Sequence, residues 1–161
     1  MIRNVVFDMG GVLMRFEPEV FLDRFGVTDP QDRILLTREV YRSVEWVMTD
    51  RGTLTPEEAA KTICERLPQR LWETADKLIT QWDDPILPVP HMEQLLQELK
   101  QKGYGIYLLS NAGTNHARYW PRVPGKDCFD GLLVSADVHY LKPQPEIYRL
   151  RRELRAAGVG I

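Results

Sequence analysis

The sequence has no long hydrophobic run, few cysteines and no strong excess of charge of either sign. Without about 18 consecutive apolar residues, no segment is expected to cross a membrane as a helix. The 21 Lys and Arg residues nearly balance the 23 Asp and Glu residues, and the net charge is -2. Nucleic-acid-binding proteins usually carry a strongly basic face, so we expect no nucleic-acid partner.

The two cysteines, Cys64 and Cys128, lie far apart and have no Cys or His neighbours at zinc-ligand spacing. We therefore expect two free thiols and a reducing, cytoplasmic location. The apolar stretch Val5-Val6-Phe7 near the start is interrupted by Asp8, so no secretory leader is expected.

The composition is that of an ordinary globular protein, with 43% hydrophobic and 27% charged residues over 161 positions. This length predicts one domain with a small insertion. The segment from Ile2 to Phe7 predicts an opening strand buried on both faces, because its apolar residues are continuous. The strand is expected to end at the polar, glycine-rich turn Asp8-Met9-Gly10-Gly11.

A block of helices is predicted from about Glu17 to Trp82, since no strand pattern interrupts this segment. Within it, Thr55 and Glu58 have the spacing of a capping box, and Pro56 suits the first helical position. The segment 84–90 contains three prolines and is expected to form a stiff connector after the block.

The remainder of the chain predicts alternating helices and strands. The residues that carry this pattern are Met92, Leu95, Leu96 and Leu99 in a helix, Tyr104 to Leu109 and Leu132 to Val134 in strands, and Ile147, Leu150 and Leu154 in a last helix. Such alternation predicts an α/β fold with a parallel sheet. We assign residues 1–14 and 86–161 to this core and residues 15–85 to an all-helical insertion.

Polar residues follow or flank the predicted strand ends, namely Asp8, Ser110, Asn111 and Lys142. The carboxyl ends of parallel strands meet at one edge, where ligands bind. A carboxylate such as Asp8 can be a nucleophile that forms an acyl-phosphate, and Lys142 can balance the developing charge. Gly10 and Gly11 let backbone N–H groups approach an oxyanion, and the hydroxyl and amide at the second strand end can hold further phosphate oxygens.

Three segments resemble the first three motifs of the haloacid dehalogenase-like hydrolase superfamily. They are Phe7-Asp8-Met9-Gly10-Gly11-Val12-Leu13, Leu108-Leu109-Ser110-Asn111, and Leu141-Lys142-Pro143-Gln144-Pro145-Glu146-Ile147-Tyr148. The helical insertion resembles the inserted helical cap of that superfamily. Gly10 and the run from Ser110 through His116 to Trp120-Pro121 resemble most the α-D-glucose-1-phosphate phosphatase-type branch.

The resemblance implies a three-layer Rossmann-like core and a Mg²⁺-dependent phosphatase of a small phosphate monoester, with a sugar phosphate as one candidate. It implies that Asp8 is the nucleophile and a Mg²⁺ ligand, and that the backbone carbonyl of Gly10 is a second ligand. Ser110 and Asn111 would bind the transferring phosphoryl group, and Lys142 would neutralise charge around the nucleophile.

The sequence departs from the superfamily pattern at three places. Gly10 stands where most of these phosphatases carry a second Asp as general acid and base, although the resembled branch shares the Gly. His139 stands where Gly is usual, and it tolerates a positive φ better than a branched residue would. The fourth motif, a strand ending in a pair of acidic residues, is missing, because Glu146 and Glu153 are the only acids after Lys142 and both lie in a predicted helix.

We therefore expect the core to be truncated at its fourth strand, and residues 156–161 to be the stretch that could fill the gap. A Mg²⁺ site without these acids would be weak, and the first strand would be a hydrophobic edge that promotes self-association. In the insertion, Trp46 is a candidate pocket wall, although the block's tryptophans are more typical of a core. His116 is more typical of a loop or a cap interface than of a catalytic acid.

Two other functions remain open from the sequence. The chain could be a catalytically impaired scaffold that binds anions, or a 2-haloacid dehalogenase, which also uses an Asp nucleophile but needs no Mg²⁺. Dependence of turnover on Mg²⁺ separates a phosphatase from a dehalogenase. Absence of turnover with retained binding of a phosphate analogue would indicate the scaffold.

Overall fold

A parallel three-stranded sheet in the order β1-β2-β3 forms the α/β centre, as the sequence predicts. The computed structural model describes the backbone of residues 2–156 and the side chains of residues 2–153. Of the stretch 156–161, which we expected to fill the gap, only Ala156 is described, as the end of the last helix, so that expectation lies outside the described residues. The strands are β1 (Asn4–Phe7), β2 (Gly105–Ser110) and β3 (Gly131–Val134). Phe7 pairs with Leu108 and Ser110 pairs with Val134, so the three carboxyl ends lie at one edge.

Helices make up most of the remaining described chain. They are α1 (Pro18–Arg24), α2 (Pro30–Leu36), α3 (Val44–Asp50), α4 (Pro56–Cys64), α5 (Trp72–Thr80), α6 (Met92–Gln101), α7 (His116–Tyr119), α8 (Ser135–Val138) and α9 (Pro145–Ala156), with a π-helical turn at Thr37–Tyr41 and 3-10 turns at Gln69–Leu71, Trp120–Arg122 and Lys126–Cys128. Helices α1 to α5 follow one another between β1 and α6, and we call them the helical block. None of the helices in the described part of the chain is long and apolar enough to cross a membrane.

Helix α4 begins where the sequence predicts. The Thr55 hydroxyl accepts a hydrogen bond from the Glu58 backbone N–H at 3.2 Å, and the Glu58 carboxylate accepts one from the Thr55 N–H at 2.9 Å. Pro56 occupies the first turn, where its missing N–H costs nothing. The helix buries Ala59 and Ile63 against α5, so capping and an apolar face together fix its place in the block.

The chain enters and leaves the helical block along two adjacent segments. The Arg15 N–H donates to the Leu87 carbonyl at 2.7 Å, and the Val89 N–H donates to the Leu13 carbonyl at 3.0 Å. The proline-rich connector therefore runs beside residues 13–15 rather than as a separate linker.

A buried ion-pair cluster also joins the helical block to the segment after β2. The Asp83 carboxylate is fully buried and pairs with Arg118 and Arg122, the latter at 2.8 Å. Arg118 also donates to the carbonyl of Thr80 at 2.6 Å. A buried carboxylate needs such partners, because removing one would leave an uncompensated charge. The cluster holds the end of α5 against α7.

Strand β1 is less buried than the sequence predicts. Val6 is 49% exposed and Ile2, just before the strand, is 75% exposed, whereas Phe7 is 9% exposed. Side chains alternate along a strand, so Ile2 and Val6 share the face opposite Phe7. The expectation of burial on both faces is wrong, because the described residues leave that face largely open and β1 lies at the sheet edge.

Short helices occupy the segment around His116, a residue that the sequence analysis describes as typical of a loop or a cap interface. Helix α7 and a 3-10 turn occupy this segment, and the four-residue α8 follows β3. Helices this short carry too few residues to show a hydrophobic period, so the sequence pattern could not predict them. Trp72, which we expected to be typical of a core, is 42% exposed at the start of α5.

Candidate active site

Asp8 directly follows β1 and forms an ion pair with Lys142. The Lys142 Nζ lies 2.7 Å from Asp8 Oδ2, and the Met9 backbone N–H donates to Asp8 Oδ1 at 2.8 Å. Lys142 Nζ also donates to the Leu109 carbonyl at 3.0 Å, within β2. These contacts bring the predicted nucleophile and the predicted charge-balancing residue together at the carboxyl edge of the sheet.

Asn111 holds the backbone of Lys142 at that edge. Its Oδ1 accepts a hydrogen bond from the Lys142 N–H at 2.8 Å, and its Nδ2 donates to the Lys142 carbonyl at 3.1 Å. Both ends of the carboxamide are thus engaged by the Lys142 backbone, although Asn111 also lines the cavity described below. Its arrangement makes Asn111 a positioning residue for Lys142, and a direct phosphate contact stays a prediction.

Ser110 is placed differently from the other predicted site residues. Its side chain is buried, with 1% exposure, and its Oγ donates to the Asn111 carbonyl at 3.3 Å rather than lining the cavity described below. The strand extends one residue further than the sequence predicts, and this draws Ser110 into the sheet. A phosphate-binding role for Ser110 stays a prediction that requires its hydroxyl to turn.

Gly10 and Gly11 line the site beside Asp8, as expected. Gly11 has a φ of 76°, in the left-handed region that favours glycine. Its N–H donates to the Met14 carbonyl at 2.7 Å, so this N–H is committed to the turn and is not offered to a phosphate. The phosphate-binding roles of Gly10 and Gly11 both stay predictions, and for Gly11 the N–H would have to leave or share its bond with Met14.

A cavity of about 270 Å³ lies between Asp8 and the helical block. Its wall is largely aromatic and aliphatic, and the residues that form this wall include Phe16, Trp46, Ile79, Trp82 and Tyr119. The rings contact one another edge-on, with centroid distances of 5.1 Å for Phe16 and Trp82 and 5.3 Å for Trp82 and Tyr119. Trp46 is thus a pocket wall as well as a residue packed against the core.

Asp50 is a second carboxylate in this cavity, and the sequence analysis missed it. It is the last residue of α3, and burial raises the pKa of its carboxyl from 3.8 to about 7. The sequence places it in the turn Asp50-Arg51-Gly52, which signals only a bend. Its burial depends on residues far away in the chain, so no local pattern could have indicated it.

The end of α3 is fixed against the segment that follows β3. The Ser135 hydroxyl donates to the Asp50 carbonyl, and the Arg51 side chain donates to the His139 carbonyl at 3.1 Å. Gly52 has a φ of 73°, and a Cβ there would lie 2.2 Å from the Ala136 carbonyl oxygen, so this close approach requires glycine. His139 itself has a φ of 61°, consistent with a position where glycine is usual.

His116 lies at the edge of the site and contacts the core rather than the cavity. Its Nδ1 lies 3.0 Å from the Gly113 carbonyl, and its Nε2 lies 3.4 Å from Asp137 on α8. Both partners belong to the core segments after β2 and β3, so these contacts do not test the predicted cap-interface role, which stays a prediction. Among the described residues, no group of three or more His, Cys, Asp or Glu side chains could hold a metal ion.

Residues 2–155 match the family model described as haloacid dehalogenase-like hydrolase. The chain belongs to this hydrolase family. It is 26% identical over 147 residues to the sesquiterpene phosphatase astK of Aspergillus oryzae, a match that covers 91% of this chain and 70% of that protein. The haloacid dehalogenase-like hydrolase fold thus spans nearly all of the sequence.

Solved structures share this fold. One is a haloacid dehalogenase family enzyme of Bacteroides thetaiotaomicron in complex with magnesium and inorganic phosphate, with a TM-score of 0.68 and 23% identity over 99% of this chain and 80% of that one. Another is the L-2-haloacid dehalogenase of Xanthobacter autotrophicus with chloropropionic acid covalently bound, with a TM-score of 0.64 and 19% identity over 97% of this chain and 66% of that one. At these identities the likeness shows the fold, and it confirms the Rossmann-like α/β core of this haloacid dehalogenase-like hydrolase.

Proposed function

We propose that this hydrolase is a phosphatase that cleaves a small phosphate monoester through an aspartyl-phosphate on Asp8. The observation that carries the proposal is the 2.7 Å pair of Asp8 and Lys142 beside a cavity at the carboxyl edge of the sheet. The phosphatase among the relatives of the chain supports it.

The chemistry divides into two steps on Asp8. First, a carboxylate oxygen attacks phosphorus, the bond from phosphorus to the organic oxygen breaks, and the alcohol leaves with a proton. Then water attacks phosphorus, the bond from phosphorus to the Asp8 oxygen breaks, and inorganic phosphate and the Asp8 carboxylate are released. Lys142 balances the negative charge on the carboxylate and the phosphoryl group, while Asn111 keeps Lys142 in position.

We propose Mg²⁺ as a weakly held cofactor. The donors that we assign to the ion are the Asp8 carboxylate and the Gly10 backbone carbonyl, and Asp50 is a further carboxyl among the described residues that line the cavity. Mg²⁺ usually takes one or two carboxylates and completes its shell with phosphate oxygens and water. This set therefore fits the ion but supplies only the minimum number of protein ligands. When bound, Mg²⁺ would neutralise phosphate charge during transfer.

We propose that residues 15–85 act as a cap over a core of residues 1–14 and 86–161. The cavity has walls from both parts, with Asp8 on the core side and Trp46 on the other. The adjacent segments at Arg15 and Leu87 are suited to be the crossing point of a hinge. Closure would exclude water from the phosphoryl group before the first step.

The cavity wall favours an apolar organic group on the phosphate over a sugar. Sugar hydroxyls lose their water partners on binding and need polar replacements, whereas this wall offers mostly rings and aliphatic side chains. The Thr49 hydroxyl already donates its hydrogen bond to the Trp46 carbonyl, at 2.7 Å, so it does not offer this donor to a sugar hydroxyl. A volume of about 270 Å³ lies at the small end of ligand cavities, so the organic group is small.

A 2-haloacid dehalogenase is the second candidate, since one structural neighbour has that activity. A haloacid carries a carboxylate that needs a cation, and no Lys or Arg is among the described residues that line the cavity. A phosphate needs a cation as well, and Lys142 at Asp8 is available to either substrate, so the phosphatase among the relatives is what favours phosphate. We also propose a cytoplasmic location, which the free thiols of Cys64 and Cys128 support.

The proposal is tested by phosphate release from short alkyl phosphates, a sugar phosphate and p-nitrophenyl phosphate, with Mg²⁺ or with EDTA. Asp8→Asn is expected to abolish release, whereas Asp76→Asn, the same change at an exposed position on α5, should leave it unchanged. Residual turnover within about tenfold of the parent would exclude Asp8 as the nucleophile. Hydrolysis of 2-chloropropionate instead would indicate a dehalogenase, and binding of vanadate without any turnover would indicate a scaffold.

A further inference from the structure

The proposed reaction lacks an assigned proton donor. An alkoxide leaves phosphorus poorly unless it is protonated as the bond breaks, and general acids typically contribute about 100-fold to 10,000-fold to such steps. Gly10, at the position where a second Asp would supply that proton, has no side chain to do so. A side chain that supplies this proton in place of water must therefore come from another part of the cavity.

The titratable side chains among the described lining residues are those of Asp8, Asp50 and Tyr119. Asp8 is committed to attack on phosphorus. Burial raises the pKa of Tyr119 above its ordinary value, and the nearby Asp50 and Asp83 raise it further, so its proton is held too tightly for transfer near neutral pH. Asp50 is the carboxylic acid that remains.

Asp50 is held at the cavity by both strand-end segments of the core. Its backbone carbonyl accepts a hydrogen bond from Ser135, which is fully buried directly after β3. The same Ser135 hydroxyl accepts a hydrogen bond from the Ala112 N–H at 3.0 Å, next to Asn111. The end of α3 is therefore fixed to the edge of the sheet where Asp8 lies.

The surroundings of Asp50 suit a group that starts protonated and later accepts a proton. Its carboxyl forms no ion pair or side-chain hydrogen bond with the part of the chain that the structure describes. Burial alone raises the pKa of this carboxyl to about 7, close to the value that general acid and base catalysis needs near neutral pH. Asp83, which is fully buried, is by contrast engaged by Arg118 and Arg122.

We propose that Asp50, supplied by the helical block, is the general acid and base of the phosphatase reaction, an inference that rests on the proposed function. In the first step, the Asp50 carboxyl gives its proton to the organic oxygen as the bond from phosphorus breaks, yielding a neutral alcohol and an Asp50 carboxylate. In the second step, that carboxylate takes a proton from the attacking water. Phosphate and the Asp8 carboxylate are released, and Asp50 is protonated again.

The experiment compares leaving groups in single turnover, with enzyme in excess and Mg²⁺ present. Release of the first product then requires only the first step. Nitrophenolate leaves without a proton donor, whereas an alkoxide does not. For Asp50→Asn we expect release of nitrophenolate within about threefold of the parent and release of a short alkyl alcohol slowed by about 100-fold or more.

The controls separate this role from a structural one. Asp50→Glu should restore part of the alkyl rate, and Asp76→Asn should leave both rates unchanged. In the parent, alkyl release should fall above about pH 7 while nitrophenolate release stays level, and Asp50→Asn should lack this pH dependence.

Equal loss of both products in Asp50→Asn, or no loss of either, would overturn the assignment while leaving the phosphatase intact. A parent that releases neither product would overturn the proposed function, and the assignment with it.

Discussion

The Lys142 ammonium bonds at once to the Asp8 carboxylate, at 2.7 Å, and to the Leu109 carbonyl, at 3.0 Å. The second bond ties the cation to β2, so its distance from Asp8 is set by the sheet and not by a flexible side chain alone. Asn111 adds two hydrogen bonds to the Lys142 backbone. A charge fixed in this way needs little reorganisation when negative charge develops on the phosphoryl group.

Replacing this cation should therefore impair turnover. We expect Lys142→Met to lower the rate of phosphate release by about 100-fold to 1,000-fold, because a pre-positioned charge is lost from the transition state. The matched control is Lys61→Met, at an exposed position on α4, which should retain the parent rate. Phosphate release under saturating substrate, with circular dichroism to verify folding, provides the measurement. A Lys142→Met enzyme as active as the parent would show that the ion pair serves only the fold.

The half-buried Asp50 carboxyl should lower the free energy of unfolding as the pH rises. The pKa of its carboxyl is about 7 in the folded protein and 3.8 in the unfolded chain. Its favourable contribution to the free energy of unfolding is therefore fully present below pH 3.8 and is lost as the pH rises through 7. Between pH 5 and pH 8 this loss amounts to roughly 3 kcal/mol, and Asp50→Asn should avoid it. Urea unfolding of the parent and of Asp50→Asn at pH 5 and pH 8 measures their free energies of unfolding. If the difference in this free energy between the two proteins does not change towards pH 8, the raised pKa is contradicted.

Much of this arrangement is predictable from the sequence, for identifiable physical reasons. The capping box at Thr55 depends on neighbours three residues apart, and the placement of Asp8 follows from a strand that ends in a glycine turn. Both are local signals, and the parallel sheet follows from the alternation of strands and helices.

The parts that the sequence does not predict depend on contacts between distant segments. Asp50 is half-buried because Ser135 and the aromatic wall flank the end of α3, and none of these is its sequence neighbour. Ser110 is withdrawn from the cavity by strand pairing with Val134, which its own motif does not reveal. The hydrogen bond from the Gly11 N–H to the Met14 carbonyl likewise depends on the conformation of the turn, which the sequence does not show.

The open side of β1 should promote self-association. In the described chain this strand pairs only with β2, and Val6 is 49% exposed on its uncovered face. A charged side chain on an edge strand opposes pairing with a second copy, so Val6→Lys should remain monomeric at concentrations where the parent self-associates. Val47→Lys is a matched control, since Val47 on α3 is equally exposed but lies off the sheet. Sedimentation velocity over a concentration series would contradict the expectation if the parent stays monomeric throughout.

Magnesium binding should depend on phosphate. Near the cavity mouth, Asp8 supplies a carboxylate whose Oδ2 is already paired with the Lys142 ammonium, and that positive charge opposes a second cation. A phosphate group adds negative charge and oxygen ligands on the far side of the ion, so the two ligands should bind together. Isothermal titration with Mg²⁺ alone should give weak binding, and prior addition of vanadate should tighten it by about tenfold or more. Asp8→Asn should abolish this coupling. Tight binding of Mg²⁺ without vanadate, lost in Asp137→Asn, would show instead that Asp137 takes the role of the missing acids.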